Sequence, residues 1–316
     1  MKILANDGIS PNGVEELEAA GFEVSTTTVA QEQLENYINS ENITVLLVRS
    51  ATKVRKDLID ACPSLKIIGR GGVGMDNIDV DYAREKGLHV INTPAASSES
   101  VAELVFAHLF SGVRFLYDSN RNMPLDGDSK FKALKKAYAK GTELRGKTLG
   151  VIGFGRIGQA TAKIGLGLGM KVVAFDPFME KVAVTVPFFD GQFVTFNITI
   201  DSKEDVLRQA DFLTLHVPAQ KEFVIGKAEL ELMKDGAGLI NAARGGVVDE
   251  VAMVEALKSG KLAFAGVDTF ENEPIPAIQV LMTPNISLTP HIGAATTQAQ
   301  ERIGSELATQ IISILK

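Results

Sequence analysis

Apolar and polar positions alternate along the chain in a repeating rhythm. Residues 2–5, 23–26, 45–48, 67–70 and 89–91 are short runs rich in β-branched and apolar side chains, as strands are. Residues 15–20, 31–38, 56–61 and 80–86 fill the gaps with helical spacing. Pro94 interrupts this series, and a long helix is predicted from residue 98 to about 117, with Val101, Leu104, Val105, His108, Leu109 and Gly112 on one face. Residues 122–140 are polar and lysine-rich and read as a solvated surface. A second series of strand-like runs follows at 148–152, 171–175, 212–215, 238–241, 263–267 and 286–288. Between 177 and 202 the rhythm lapses. There, 182–187 and 193–200 predict two extended segments around Asp190-Gly191, a β-hairpin or loop insertion. Residues 294–315 predict one amphipathic helix.

Alternating strands and helices imply parallel sheets, so the class is α/β. A chain of 316 residues exceeds what one core usually serves. Two Rossmann-like or flavodoxin-like lobes are expected, with the active site in the cleft between them. The composition is 45% hydrophobic and 22% charged, ordinary for a globular protein. No apolar run reaches the ~18 residues of a membrane span, and Asp7 cuts short any signal-peptide core. The single cysteine, Cys62, excludes an internal disulfide and a cysteine metal cluster. A cytoplasmic location is expected, with neither a metal nor a membrane partner. The net charge of −7 argues against nucleic acid but leaves room for a small anionic substrate.

The strongest local motif is Gly153-Phe154-Gly155-Arg156-Ile157-Gly158, directly after a strand and opening a helix. Gly153 permits the tight turn, Gly155 lets a pyrophosphate approach the backbone, and Gly158 lets helix and strand pack closely. Asp176 ends the next strand, 18 residues beyond Gly158. A carboxylate there accepts from ribose hydroxyls and repels a 2′-phosphate, which favours NAD over NADP.

Three further segments follow later strands. They are Asn241–Glu250 with Arg244, Gly266–Pro274 with Glu273, and Thr289–Gly293 with His291. In an open α/β sheet all three would meet the cofactor crevice. Histidine can take a hydroxyl proton, a carboxylate can orient the imidazole, and an arginine fork can hold a substrate carboxylate. Singly, each is as well read as a cap, an ion pair or a turn residue; together, beside a dinucleotide turn, they read as a catalytic set. His216, in Leu215-His216-Val217-Pro218, is expected to be backbone-bonded and to line the adenine side. In the first lobe, Gly71-Gly72-Val73-Gly74 is expected to form an anion nest for a substrate carboxylate. Arg49 and Arg70, each at the carboxyl end of a strand, are candidates for a second anion such as a phosphate, with Ser50 beside them.

On these motifs the chain resembles the D-isomer-specific 2-hydroxyacid dehydrogenases over essentially its whole length. Residues 48–54, 69–77 and 140–149 are most similar to the phosphoglycerate-oxidising branch of that family. The resemblance implies a discontinuous substrate domain, 1–97 with 291–316, and an NAD-binding domain, 98–290. It assigns Arg244 to the substrate, Glu273 and His291 to an acid–base relay, and Arg156, Ile157, Asp176, Ala242 and Asp268 to the cofactor. Ala243, Gly293, Ala294, His216, Val217 and Pro218 are expected to line the same cofactor site. A homodimer or homotetramer acting on a phosphorylated 2-hydroxy or 2-oxo acid, as in D-3-phosphoglycerate oxidation, is implied as well. The chain ends at Lys316, so a C-terminal regulatory domain and serine feedback are not expected. Two other readings stay open: a hydroxypyruvate, glyoxylate or D-lactate type of reductase, and an NAD-sensing protein of the corepressor type.

Overall fold

The computed structural model describes residues 1–316 and divides them into two compact units, 1–98 with 294–316 and 99–293. The boundaries fall one and three residues later than expected, which places His291 and Gly293 in the second unit. The reason is local: the buried Asp268 carboxylate accepts the N–H groups of Ile292 and Gly293 at 2.8 and 2.9 Å.

In the first unit the order is β1 (Lys2–Ala5), α1 (Pro11–Ala19), β2 (Glu23–Ser25), α2 (Leu34–Glu41), β3 (Ile43–Val48), α3 (Lys56–Ala61), β4 (Ile67–Arg70), α4 (Val80–Glu85) and β5 (His89–Asn92). The strands form one parallel sheet in the order β2-β1-β3-β4-β5, a flavodoxin-like arrangement. α1 starts earlier than its apolar pattern suggests, because Pro11 occupies the first turn, where no N–H is needed.

The second unit opens inside α5 (Ser98–Val113), whose first residue closes the first unit, and continues with α6 (Leu116–Asp126) and α7 (Phe131–Ala137). The single long helix expected here is broken at Phe115, which has φ 56°. Thr142 N–H bonds the Val113 carbonyl at 3.0 Å, and the Phe115 ring packs on Tyr138 with centroids 6.0 Å apart. Then come β6 (Thr148–Ile152), α8 (Arg156–Gly167), β7 (Lys171–Phe175), β8 (Lys181–Pro187), β9 (Phe193–Thr199), α9 (Lys203–Gln209), β10 (Phe212–Leu215), α10 (Lys227–Leu232), β11 (Ala237–Asn241), α11 (Glu250–Ser259), β12 (Leu262–Val267), α12 (Ile278–Leu281) and β13 (Ile286–Leu288). Six strands form a parallel sheet, β13-β12-β11-β10-β6-β7.

β8 and β9 form the antiparallel hairpin that the sequence suggested. Its turn closes through Phe188 N–H to Gln192 O at 2.8 Å, with Gly191 at φ 85°. The inner face buries Val184, Val186 and Ile198, worth ~1.5–3 kcal/mol per fully buried side chain. It stands where a further strand would extend the sheet, and a single bridge between Ala174 and Ile200 remains of that pairing.

The C-terminal helix α13 (Thr297–Leu315) belongs to the first unit. It starts three residues later than expected because the Thr296 hydroxyl caps it, accepting from Ala299 N–H at 3.2 Å. It crosses α1 where Gly13 meets Gly304; a Cβ on Gly13 would lie 2.8 Å from the Gly304 Cα. No helix is long and apolar enough to cross a membrane.

Candidate active site

β6 lies between β7 and β10, so the connections leaving it diverge and a crevice opens at the carboxyl ends of β6 and β10. The turn after β6 occupies that point. Gly153 has φ 87°, and a Cβ there would meet the His216 carbonyl at 2.7 Å. A Cβ on Gly158 would lie 2.2 Å from the Gly153 carbonyl oxygen, so α8 can sit this close only with glycine. Around Gly155 there is open space, and as N-cap of α8 it offers no side chain to the first-turn N–H groups. Those donors and the helix dipole suit a pyrophosphate. Arg156 is exposed and Ile157 half-buried at this end. Asp176 follows β7, and its two oxygens accept Phe154 N–H at 2.8 Å and Phe178 N–H at 2.9 Å, which tie the carboxylate to the glycine turn. The residues present therefore fit a dinucleotide.

His216 differs from expectation. Its ring bonds threonine hydroxyls rather than backbone: Nε2 lies 3.2 Å from both Thr161 and Thr214 Oγ1. Thr161 donates to the Ile157 carbonyl, so towards Thr161 the ring can only donate, whereas the Thr214 hydroxyl can take either role. Burial pushes the ring pKa down to about 3. Val217 packs beside Gly153, and Pro218 is exposed.

The catalytic candidates sit on the loops after β11, β12 and β13. Ala242 and Ala243 are buried, and Arg244 Nη1 donates to the Ala243 carbonyl at 2.7 Å. The Asn241 side chain braces this turn by donating to Arg244 O at 3.0 Å and accepting Ala243 N–H at 3.1 Å. Glu273 Oε2 and His291 Nδ1 are 2.8 Å apart. Glu273 Oε1 accepts Phe270 N–H at 3.0 Å. Partial burial pushes the Glu273 carboxyl up, but the bonds from His291 and Phe270 and the charges of His291 and Arg244 outweigh it, holding it below the usual carboxylate range. An ionised carboxylate only accepts, so Nδ1 carries the proton and Nε2 is the nitrogen available to a reactant.

Sequence reasoning missed the brace between these loops. Glu250 N–H donates to Glu271 Oε1, and Glu271 N–H donates to Glu250 Oε1, each at 2.9 Å. Burial, with the charges of Glu271 and Glu273, outweighs that bond and pushes the Glu250 carboxyl up. Glu250 lies inside the motif around Arg244, but nothing local names its partner. Asp268, expected at the cofactor, is 1% exposed and accepts from the Thr289 hydroxyl at 2.6 Å as well as from Ile292 and Gly293. Its first role is to hold the turn carrying His291.

In the other unit, Arg49 follows β3 and Arg70 ends β4, as read from sequence. A Cβ on Gly71 would lie 3.6 Å from Arg49 Cγ, and one on Gly72 would strike Arg70 Nη1. Ser50 is exposed. The four-residue nest is not formed as expected. Gly71 N–H continues the ladder to Val48 O and Gly72 N–H turns back to Arg70 O, both at 2.9 Å. Val73 and Gly74 follow these engaged groups, with the Val73 carbonyl held by Asn92 Nδ2 at 2.7 Å. Ala294 falls in this unit, its carbonyl accepting from Gln300 at 2.7 Å.

Residues 106–293 match the family described as D-isomer specific 2-hydroxyacid dehydrogenase, NAD binding domain. A hydroxypyruvate reductase of Thermotoga maritima is 41% identical over 93% of this chain and 91% of its own length. A D-3-phosphoglycerate dehydrogenase of Methanocaldococcus jannaschii is 40% identical over 100% of this chain, which spans only 58% of that longer protein. The solved structure of a glyoxylate reductase from Paecilomyes thermophila superposes with a TM-score of 0.83 at 27% identity, covering 100% of this chain and 95% of that one.

Proposed function

From the premise that the chain belongs to the D-isomer-specific 2-hydroxyacid dehydrogenase family, we propose that it interconverts a 2-hydroxy acid and its 2-oxo acid with NAD. The observation that carries this is the Glu273–His291 pair, 2.8 Å apart, in the same unit as the glycine turn and Arg244. His291 Nε2 takes the substrate hydroxyl proton on oxidation and returns it on reduction. Glu273 keeps the ring oriented and stabilises it when charged. Arg244, one edge fixed by the Ala243 carbonyl, holds the substrate carboxylate and polarises the C2 oxygen. NAD, when bound, supplies the ring that accepts hydride from C2; the α8 N-terminus and Asp176 would hold its pyrophosphate and ribose.

The finer reading is D-3-phosphoglycerate oxidation, with Arg49 and Arg70 meeting the phosphate. Arginine suits it because its planar fork stays charged. Reduction of unphosphorylated hydroxypyruvate is the second reading, favoured by the relative of that name being matched over nearly its full length. The test is NADH oxidation by the purified chain with 3-phosphohydroxypyruvate, hydroxypyruvate, glyoxylate and pyruvate. The finer reading expects the highest kcat/KM on the phosphorylated acid, reduced about tenfold or more by Arg49→Ala or Arg70→Ala, with hydroxypyruvate little affected. A preference for hydroxypyruvate, or equal losses on both acids, overturns it.

A further inference from the structure

His108 is 2% exposed and lies on an otherwise apolar face of α5. The catalytic scheme does not use it, yet both ring nitrogens are engaged. Nδ1 is 2.9 Å from Ser287 Oγ on β13, and Nε2 is 3.0 Å from Thr289 Oγ1 beyond it. Room for the ring comes from Gly266 on β12, where a Cβ would lie 2.6 Å from the His108 Cβ.

The donors can be assigned. Thr289 has one hydroxyl proton, and at 2.6 Å from Asp268 Oδ1 it goes to the carboxylate, which can only accept. Nε2 of His108 must therefore donate to Thr289. Nδ1 is then the acceptor, and Ser287 donates to it; the alternative from Ser287 to Ser111 is longer, at 3.5 Å. Burial pushes the His108 pKa down, and the charge of Asp268 opposes this only in part, so the ring is neutral as that assignment requires.

Beyond Thr289 the chain of bonds ends on the turn that carries His291. Asp268 holds the N–H groups of Ile292 and Gly293. From the first turn of α5, the Ser100 hydroxyl donates to the Gly293 carbonyl at 2.7 Å. His291 itself stands at φ 54°, a left-handed conformation that a non-glycine residue keeps only when its surroundings impose it.

We propose that His108 is a positioning residue for His291. Its Nε2–H orients the Thr289 hydroxyl, which aims Asp268 at the Ile292 and Gly293 amides and so fixes the turn. The inference rests on the acid–base reading of His291 above, and its test separates the two.

The variants are His108→Leu, Thr289→Val and, as a conservative control, Thr289→Ser. The first measurement needs no substrate: amide hydrogen exchange in the full chain. In His108→Leu and Thr289→Val the Ile292 and Gly293 amides should exchange roughly tenfold faster, with β6 amides unchanged and Thr289→Ser close to wild type. Should His108→Leu fail to fold, the two Thr289 variants carry the comparison. The second measurement is kcat and KM for NADH with hydroxypyruvate and 3-phosphohydroxypyruvate, alone and on a His291→Asn background. Acting through His291, His108→Leu should reduce kcat about tenfold with KM for NADH nearly constant, and lose that effect once His291 is gone. Unchanged protection of Ile292 and Gly293 in folded variants overturns the inference. So does a kcat loss that multiplies unchanged with His291→Asn. Wild-type turnover by His291→Asn alone overturns instead the acid–base reading, while the exchange result still reports on the turn.

Discussion

Gly245 offers a direct way to test how the catalytic loops depend on one another. It follows Arg244, and a methyl group there would lie 1.8 Å from the Phe270 carbonyl oxygen and 2.4 Å from its carbon. Real Cβ contacts do not fall below 3.0 Å, so in Gly245→Ala the two loops must part by at least about 1.2 Å. Both sides of the clash are backbone, so no side-chain rotation relieves it. The Glu250–Glu271 bonds resist the separation, since they join the same two loops. Overpacking of this kind costs ~1–3 kcal/mol, and Tm falls roughly 2–4 °C for each kcal/mol in a unit of this size. The separation also carries Arg244 away from Glu273, and a misplacement of about 1 Å can cost ~10²-fold in rate. NADH binding, measured by fluorescence titration, should fall less than kcat, because the Gly153–Gly158 turn is not displaced even though Ala242 and Ala243 lie on the moving loop. Steady-state kinetics on the acid preferred by the wild type, together with a thermal melt, decide the matter. A kcat within twofold of wild type at an unchanged Tm would refute the close apposition of these loops and its role in placing Arg244.

Three further outcomes are expected. Glu273→Gln should lower kcat about tenfold or more with KM for NADH little changed, because the ring loses the carboxylate that accepts its Nδ1–H; an unchanged kcat counts against the pair. Asp176→Ala should raise KM for NAD about tenfold or more and improve relative use of NADP, read from the two cofactors' kcat/KM values. His216 is neutral in the native state down to about pH 3, against an ordinary value of 6.5. Between those values the unfolded chain binds a proton that the native chain does not. Stability is thus complete above the ordinary value and falls as pH drops through this window, by at most ~1.4 kcal/mol per pH unit. Urea unfolding followed from about pH 7 to about pH 4 should show a shallower fall in His216→Gln.

The parallel strands were legible because each is a short apolar run bounded by polar turns, and local pattern is all such a strand needs. What local pattern could not show was the break at Phe115. Apolar spacing runs on through residues 113–116 with neither glycine nor proline to mark a stop. The left-handed φ there is accompanied by distant partners, Thr142 on the Val113 carbonyl and Tyr138 on the ring. The glycines after β4 misled in the opposite sense. Gly71-Gly72-Val73-Gly74 has the composition of an anion nest, yet two of its N–H groups serve the ladder and a tight turn. Composition reports which conformations a loop can adopt, and pairing with β3 decides where its donors point.

The catalytic loops show the same division at longer range. Glu273 and His291 could be proposed as partners because each ends a strand of one sheet, and topology brings strand ends together. The network behind them joins residues 181 positions apart, beyond any window of periodicity. Its trace in the sequence is a set of complementary departures from pattern. His108 interrupts an apolar helix face, Ser287 interrupts an apolar strand, and Gly266 removes a side chain from the middle of another. A buried polar group must find a partner, and a strand glycine marks a close approach. Together these rules require that something polar be received where Gly266 leaves room and that the histidine and serine each be satisfied. They do not say that one ring meets all three conditions. That follows only once β12 and β13 lie side by side beneath α5, and it is the same adjacency that lets the bonds continue through Thr289 and Asp268 to the turn of His291.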